Sequence, residues 1–131
     1  MKLLNKVAVI TGGSSGIGKA IVEEFKKEGA KVIVVDRNSH PDTLTIAADL
    51  SKKEDIQKII DESISKYGKV DILVNCAGVY ERNLFLESTH EIWDKTMDIN
   101  LRSIFFLCKG FIKHMKENNS GNIINISSNA G

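Results

Sequence analysis

The first eighteen residues limit this chain more than any other segment. An apolar run, Lys6-Val7-Ala8-Val9-Ile10, leads straight into Thr11-Gly12-Gly13-Ser14-Ser15-Gly16-Ile17-Gly18, and Ile17, Ala20, Ile21 and Phe25 then recur at helical spacing. That order reads as a strand, a glycine turn and a helix N-terminus. Glycine turns the backbone tightly and lets a ligand reach main-chain N–H groups without meeting a Cβ. The helix start adds unpaired donors and the positive end of its dipole. Such a turn either seats a phosphate or merely connects two elements, and its place between a strand and a helix favours the phosphate.

Strands and helices alternate through the rest of the chain. Gly29 stands where a first helix should end, and Lys31-Val32-Ile33-Val34-Val35 forms a second strand ending at Asp36. A third short strand is predicted over residues 44–47. Ser51 with Glu54 reads as a capping box, opening a helix that carries Ile56, Ile59, Ile60, Ile64 and Tyr67 and closes at Gly68. A fourth strand over 70–75 leads into Cys76-Ala77-Gly78. Ser88 with Glu91 reads as another capping box, ahead of Ile92, Trp93 and Met97. Beyond Asn100 a longer helix places Leu101, Ile104, Phe105, Cys108, Phe111, Ile112 and Met115 on one stripe, with Phe106 and Leu107 off it. Surplus apolar residues on a helix imply either deep burial or a partner helix from another subunit. The last strand, over 122–126, ends in Ser127-Ser128-Asn129-Ala130-Gly131. Near-continuous apolar strands separated by helices predict an α/β fold, a parallel sheet covered on both faces.

A length of 131 residues suits one domain, residues 1–131. The 18 Lys and Arg nearly balance the 17 Asp and Glu and are scattered, which argues against nucleic acid or an anionic membrane as partner. No apolar run approaches the ~20 residues of a membrane helix, and residues 1–6 lack a signal-peptide core. Cys76 and Cys108 have no zinc-type spacing and sit in apolar contexts, so both are expected to be buried free thiols of a reducing, cytoplasmic compartment. His40, His90 and His114 lie far apart in polar or helix-end settings and read as solvated; no metal site is expected.

Asp36 stands at the end of the second strand, eighteen residues after Gly18. In a dinucleotide fold an acid about this far along accepts hydrogen bonds from the adenosine ribose and repels the 2′-phosphate of NADP. Arg37 could pair with that phosphate, so NAD is favoured over NADP without excluding it.

With these residues in view, the chain resembles the short-chain dehydrogenase/reductase family. Thr11, Gly12, Gly16 and Gly18 match its Thr-Gly-x-x-x-Gly-x-Gly cofactor turn, in which Ser14, Ser15 and Ile17 also fall. Asp49, followed by Leu50, matches the family acid that contacts adenine. Asn75-Cys76-Ala77-Gly78 resembles Asn-Asn-Ala-Gly, with Asn75 steadying the sheet and Ala77 and Gly78 walling the cofactor site. Asn100 falls at the active-site asparagine and Ser128 at the active-site serine. The resemblance implies a Rossmann-type doubly wound sheet, NAD as cofactor, a small alcohol or carbonyl substrate, and a homo-oligomer (dimer or tetramer) in which Phe106 and Leu107 suit pairing of the long helix between subunits. The loop over 79–87, with Tyr80, Glu81 and Arg82, is expected to line the mouth of the site.

Three departures qualify this. Cys76 replaces the second asparagine. The stretch from Asp36 to Asp49, holding Pro41, is too short for the usual crossover helix, a shortening also familiar in some sugar and dihydrodiol dehydrogenases. Lastly, the family's catalytic Tyr-x-x-x-Lys is missing: four residues after Tyr67 and Tyr80 stand Asp71 and Leu84. The resemblance places that pair beyond Gly131, in a parent protein of which this chain is the cofactor-binding half, truncated after the fifth strand and inactive alone. It would transfer hydride between NAD and an alcohol or carbonyl carbon, with Ser128 on the substrate oxygen and Asn100 holding a water. The other reading is a degenerate or truncated nucleotide binder without turnover.

Overall fold

The computed structural model describes residues 1–39 and 42–129. His40 and Pro41, and the closing Ala130 and Gly131, lie outside them. Five strands form one sheet: β1 (Val7–Thr11), β2 (Lys31–Asp36), β3 (Leu44–Ala47), β4 (Ile72–Asn75) and β5 (Asn122–Asn125). Their order across the sheet is β3-β2-β1-β4-β5 and every pairing is parallel. The chain runs outward from β1 to β3, then returns to β4 on the other side of β1. That reversal opens a crevice beyond the carboxyl ends of β1 and β4, where ligands of open parallel sheets bind.

Four α-helices cover the sheet: α1 (Gly16–Lys27), α2 (Lys53–Tyr67), α3 (His90–Met97) and α4 (Ser103–Glu117). One face of the sheet packs Ala8, Ile10, Val32, Val34, Ile72 and Val74 against Val22, Ile21 and Phe25 of α1. The other packs Val7, Val9, Ile33, Val35 and Leu73 against Ile56, Ile59 and Ile60 of α2 and Leu107, Phe111 and Met115 of α4. The doubly wound α/β architecture expected from the alternation is therefore present. β2 and β3 are joined by residues 37–43, too few for a crossover helix.

Several local expectations are corrected. The helix expected from Ile17 starts at Gly16, and its buried stripe runs through Gly18 and Val22, with Ile17 and Ala20 exposed. Ser51 does not cap α2. Lys52 occupies the N-cap position, and Ser51 bonds Asp49 instead. The cap of α3 is Thr89, one residue after Ser88, and its hydroxyl accepts from the Ile92 N–H at 3.2 Å. The strands expected at 70–75 and 122–126 are trimmed to their paired residues. Gly29 closes α1 as expected: the Gly29 and Ala30 N–H groups donate to the Lys26 and Phe25 carbonyls, a Schellman closure.

α4 departs most from its sequence reading. Ser103, Leu107, Phe111 and Met115 are its buried residues, a strict i+4 stripe. Leu107 is fully buried while Phe105 is 63% and Leu101 58% exposed. A π-helical turn, Asp98–Arg102, precedes α4 and joins it to α3. Apolar residues surround much of this helix, and the side that packs against α2 and β4 is the one carrying Leu107, so a stripe counted through Leu101 and Phe105 points the wrong way. Leu107 is thus core; the apolar residues left outside are Leu101, Phe105, Phe106 and Ile112.

The cysteines are free but only half-buried, because each lies at the edge of its cluster. His114 is half-buried too, and not merely solvated: its Nε2 accepts the Val70 N–H at 3.2 Å. His90 is exposed, as expected, at the start of α3.

Candidate cofactor cleft

Above the carboxyl ends of the strands lies a cleft of about 1190 Å³, beyond the ~300–1,000 Å³ of an ordinary small-molecule pocket and long enough to run from β3 to β5. Its floor is the glycine turn. A Cβ on Gly18 would stand 2.1 Å from the Gly12 carbonyl oxygen, so the helix can fold back against the turn only with glycine there. Gly16 differs: nothing lies within 4 Å of a Cβ built on it, and its φ of +53° is what requires glycine. Ser15, the N-cap of α1, makes no side-chain cap bond, and the first turn carries no acid. α2 and α3, by contrast, carry acids in their first turns. The start of α1 therefore suits an external anion.

Thr11 and Ser14 are absent from the cleft lining and act behind it. The buried Thr11 hydroxyl oxygen accepts the Cys76 and Ala77 N–H groups at 3.1 and 3.0 Å, tying β1 to the loop after β4. Ser14 donates to Asp36 from its hydroxyl and from its N–H. Asp36 and Arg37 line the cleft at one end with Asp49 and Leu50. The Asp49 carboxyl is held below its ordinary range, chiefly by the Ser51 hydroxyl and then its N–H, and further by the charges of Arg37 and Lys52. Asp49 is thus an ionised carboxylate beside Arg37.

Ala77 and Gly78 line the middle, with Cys76, whose thiol burial pushes up and keeps neutral. Asn75 is buried beneath them. Its Nδ2 donates to Asn125 Oδ1 at 2.9 Å and to Cys108 Sγ at 3.5 Å, linking β4 to β5. Its own Oδ1 is buried without a partner among the described residues.

Asn100 sits in the π turn and lines the far end with Ser128. Its Oδ1 accepts the Val79 N–H and its Nδ2 donates to the Val79 carbonyl, both at 2.8 Å. The amide expected to hold a water clamps the loop after β4 through these two bonds. Tyr80 and Glu81 line the mouth as expected, whereas Arg82 does not. Wall residues that sequence reasoning missed include Val35, Trp93, Thr96, Ile104 and Asn125. Val35 and Asn125 could have been found from their strand ends. Trp93 and Thr96 had no such signal, since only the docking of α3 turns them to the cleft.

Among the described residues no group of three His, Cys, Asp or Glu could hold a metal ion. No described helix is long and apolar enough to cross a membrane.

Residues 6–131 match the family model described as short chain dehydrogenase. The chain is 38% identical over 98% of its length to an NAD-dependent glycerol dehydrogenase of Listeria innocua, covering 54% of that protein. It is 39% identical over 97% of its length to dehydrogenase/reductase SDR family member 6 of Aquarana catesbeiana, again covering 54%. The crystal structure of a 3-ketoacyl-(acyl-carrier-protein) reductase from Brucella melitensis complexed with NADH superimposes with a TM-score of 0.89 at 35% identity, over 96% of this chain and 58% of that one. The chain thus spans about half the length of the relatives it matches. With the glycine turn, the reversal between β1 and β4 and the sequence match all in agreement, this chain belongs to the short-chain dehydrogenase/reductase family.

Proposed function

We propose that residues 1–131 are a single cofactor-binding domain of an oxidoreductase that interconverts an alcohol and a carbonyl compound with NAD. The observation that carries this reading is the convergence of the uncapped, acid-free start of α1 and the Asp36 carboxylate on one continuous cleft. When bound, NAD supplies the hydride acceptor or donor. The donors at the turn from Gly12 to Gly18 hold the pyrophosphate. Asp36 accepts from the adenosine ribose. Asp49, ionised and fixed by Ser51, and Leu50 bound the adenine end. Ala77 and Gly78 wall the nicotinamide side, held in place by Thr11 from below and by the Asn100–Val79 clamp from the front. Ser128 donates to the substrate oxygen and stabilises charge that develops there. The relatives' names, with their glycerol, galactose and 3-oxoacyl substrates, span too many chemistries to choose one for this chain.

A second reading is favoured by one fact. No Tyr-x-x-x-Lys occurs anywhere in the 131 residues, so the chain alone lacks the pair that in the family moves the hydroxyl proton. On that reading it binds the nucleotide and turns nothing over. NADH fluorescence titration of the chain, with alcohol-dependent NAD reduction measured in parallel, tests both. Saturable binding supports the cofactor site, and absence of any fluorescence change defeats it. Turnover by the chain alone would defeat the second reading.

A further inference from the structure

Asp36 ends β2 and the glycine turn follows β1, two adjacent strands whose ends pair at Thr11 and Val35. One residue of the turn joins them. The Ser14 hydroxyl and the Ser14 N–H, the latter at 3.2 Å, both donate to the same carboxylate oxygen, Oδ2 of Asp36. The other oxygen, Oδ1, accepts the Arg37 N–H at 2.7 Å. A carboxylate offers about four acceptor positions; among the described residues three are filled from within the chain and the fourth, on Oδ1, is left. Asp36 lines the cleft and Ser14 does not.

We propose that Ser14 is a positioning residue for nucleotide selection: it latches the Asp36 carboxylate to the glycine turn, so that Oδ1 is presented to the adenosine ribose and the negative charge stays where a 2′-phosphate would sit. The inference rests on the cofactor reading of the cleft. Its physical basis is the neighbour in sequence. Arg37 lines the same end of the cleft, and a guanidinium there would pair with a 2′-phosphate if Asp36 were free to turn aside. With both Ser14 donors on Oδ2, that rotation breaks two hydrogen bonds to a charged acceptor. The turn that holds the pyrophosphate thereby also fixes which adenosine it admits.

The test is fluorescence titration of the 131-residue chain with NADH and with NADPH, for the wild type, Ser14→Ala, Ser14→Thr, Asp36→Ala and the Ser14→Ala/Asp36→Ala double variant. Ser14→Ala is expected to weaken NADH binding about tenfold while NADPH binding holds or tightens, so that the preference narrows. Ser14→Thr, which keeps the hydroxyl, is expected to stay within about twofold of wild type for both nucleotides. In the Asp36→Ala background, Ser14→Ala should add no further loss, since there is no carboxylate left to place. Equal weakening of both nucleotides, an unfolded Ser14→Ala chain by circular dichroism, or losses that multiply in the double variant would make Ser14 a residue of the fold and overturn the proposal. Tighter NADH binding by Ser14→Ala would also overturn it, because the hydroxyl would then compete with the ribose. A wild-type chain that binds neither nucleotide defeats the cofactor reading itself. Failure of the latch alone leaves wild-type binding intact.

Discussion

β1 and β5 are both short parallel strands rich in β-branched residues, yet their surroundings are opposite. Every residue of β1, Val7–Thr11, is buried, whereas β5, Asn122–Asn125, has one half-buried residue and three exposed ones. β1 has strands on both sides and helices on both faces; among the described residues β5 pairs only with β4. Burial thus follows neighbours more than hydropathy. The contrast continues outward, since the turn after β1 is braced by Thr11 and Ser14, while the π turn leaves Leu101 exposed and the outer face of α4 leaves Phe105 and Ile112 exposed.

The largest test of this contrast compares matched truncations. Leu73→Ala, in the fully buried strand β4, is expected to cost about 2–5 kcal/mol. Ile124→Ala, 43% exposed in β5, should change stability by no more than about 0.5 kcal/mol. Urea denaturation measures both, and equal losses would abolish the distinction between the sheet's interior and β5.

Next comes the anchor of β1. Asp71 Oδ2 accepts the Val7 N–H at 2.8 Å and the Lys69 ammonium at 2.9 Å. Burial raises the Asp71 carboxyl, but these bonds and the charges of Lys69 and Lys6 outweigh it, and the net shift is downward. A group held low in the folded state stabilises above its unfolded value of about 3.9 and loses that contribution as pH falls through the folded value. Asp71→Ala should cost about 1–3 kcal/mol at pH 7, with the Val7 N–H left buried and unpaired. That difference from wild type should shrink below about pH 4. A deficit independent of pH would mean that the carboxylate charge contributes nothing.

The open side should reveal itself by association. A strand edge without a partner among the described residues and an exposed apolar helix face both favour self-association, so sedimentation should show concentration-dependent oligomers that Ile124→Lys with Phe105→Glu reduces. Monomer at all concentrations would show that β5 is protected after all. The smallest effect belongs to the rim of the cleft. Glu81 and Lys95 form an exposed ion pair at 3.0 Å, and Glu81→Ala should alter thermal stability by less than about 0.5 kcal/mol.

Much of the fold could be read in advance because its signals are local. Apolar strands punctuated by Gly12, Gly16, Gly18, Gly29 and Gly68 give element type and order, and the glycine turn locates one end of the cleft. Features that failed in the reading depend on geometry spread over the chain. The caps of α2 and α3 shifted because Ser51 found Asp49 and because Thr89, beside Ser88, had the better position. The inward face of α4 changed because its apolar residues exceed one stripe, and packing against α2 and β4 put Leu107 in the core and left Phe105 out.

The same division holds for the candidate site. The glycine turn and Asp36 were legible from the residues, because a phosphate-binding turn and a strand-end acid need particular residue types at particular separations, whereas Asp49, Asn100 and Ser128 were reached only through the resemblance to the family. Their division of labour was not legible. That Thr11 braces a loop, that Ser14 holds Asp36 across 22 residues, and that Asn100 clamps Val79 across 21 follow from the packing of parallel strands, which brings distant segments within hydrogen-bond reach. Local chemistry fixes which elements form and where a ligand can enter; contacts between elements far apart in the chain fix which side chain faces the ligand and which one supports it.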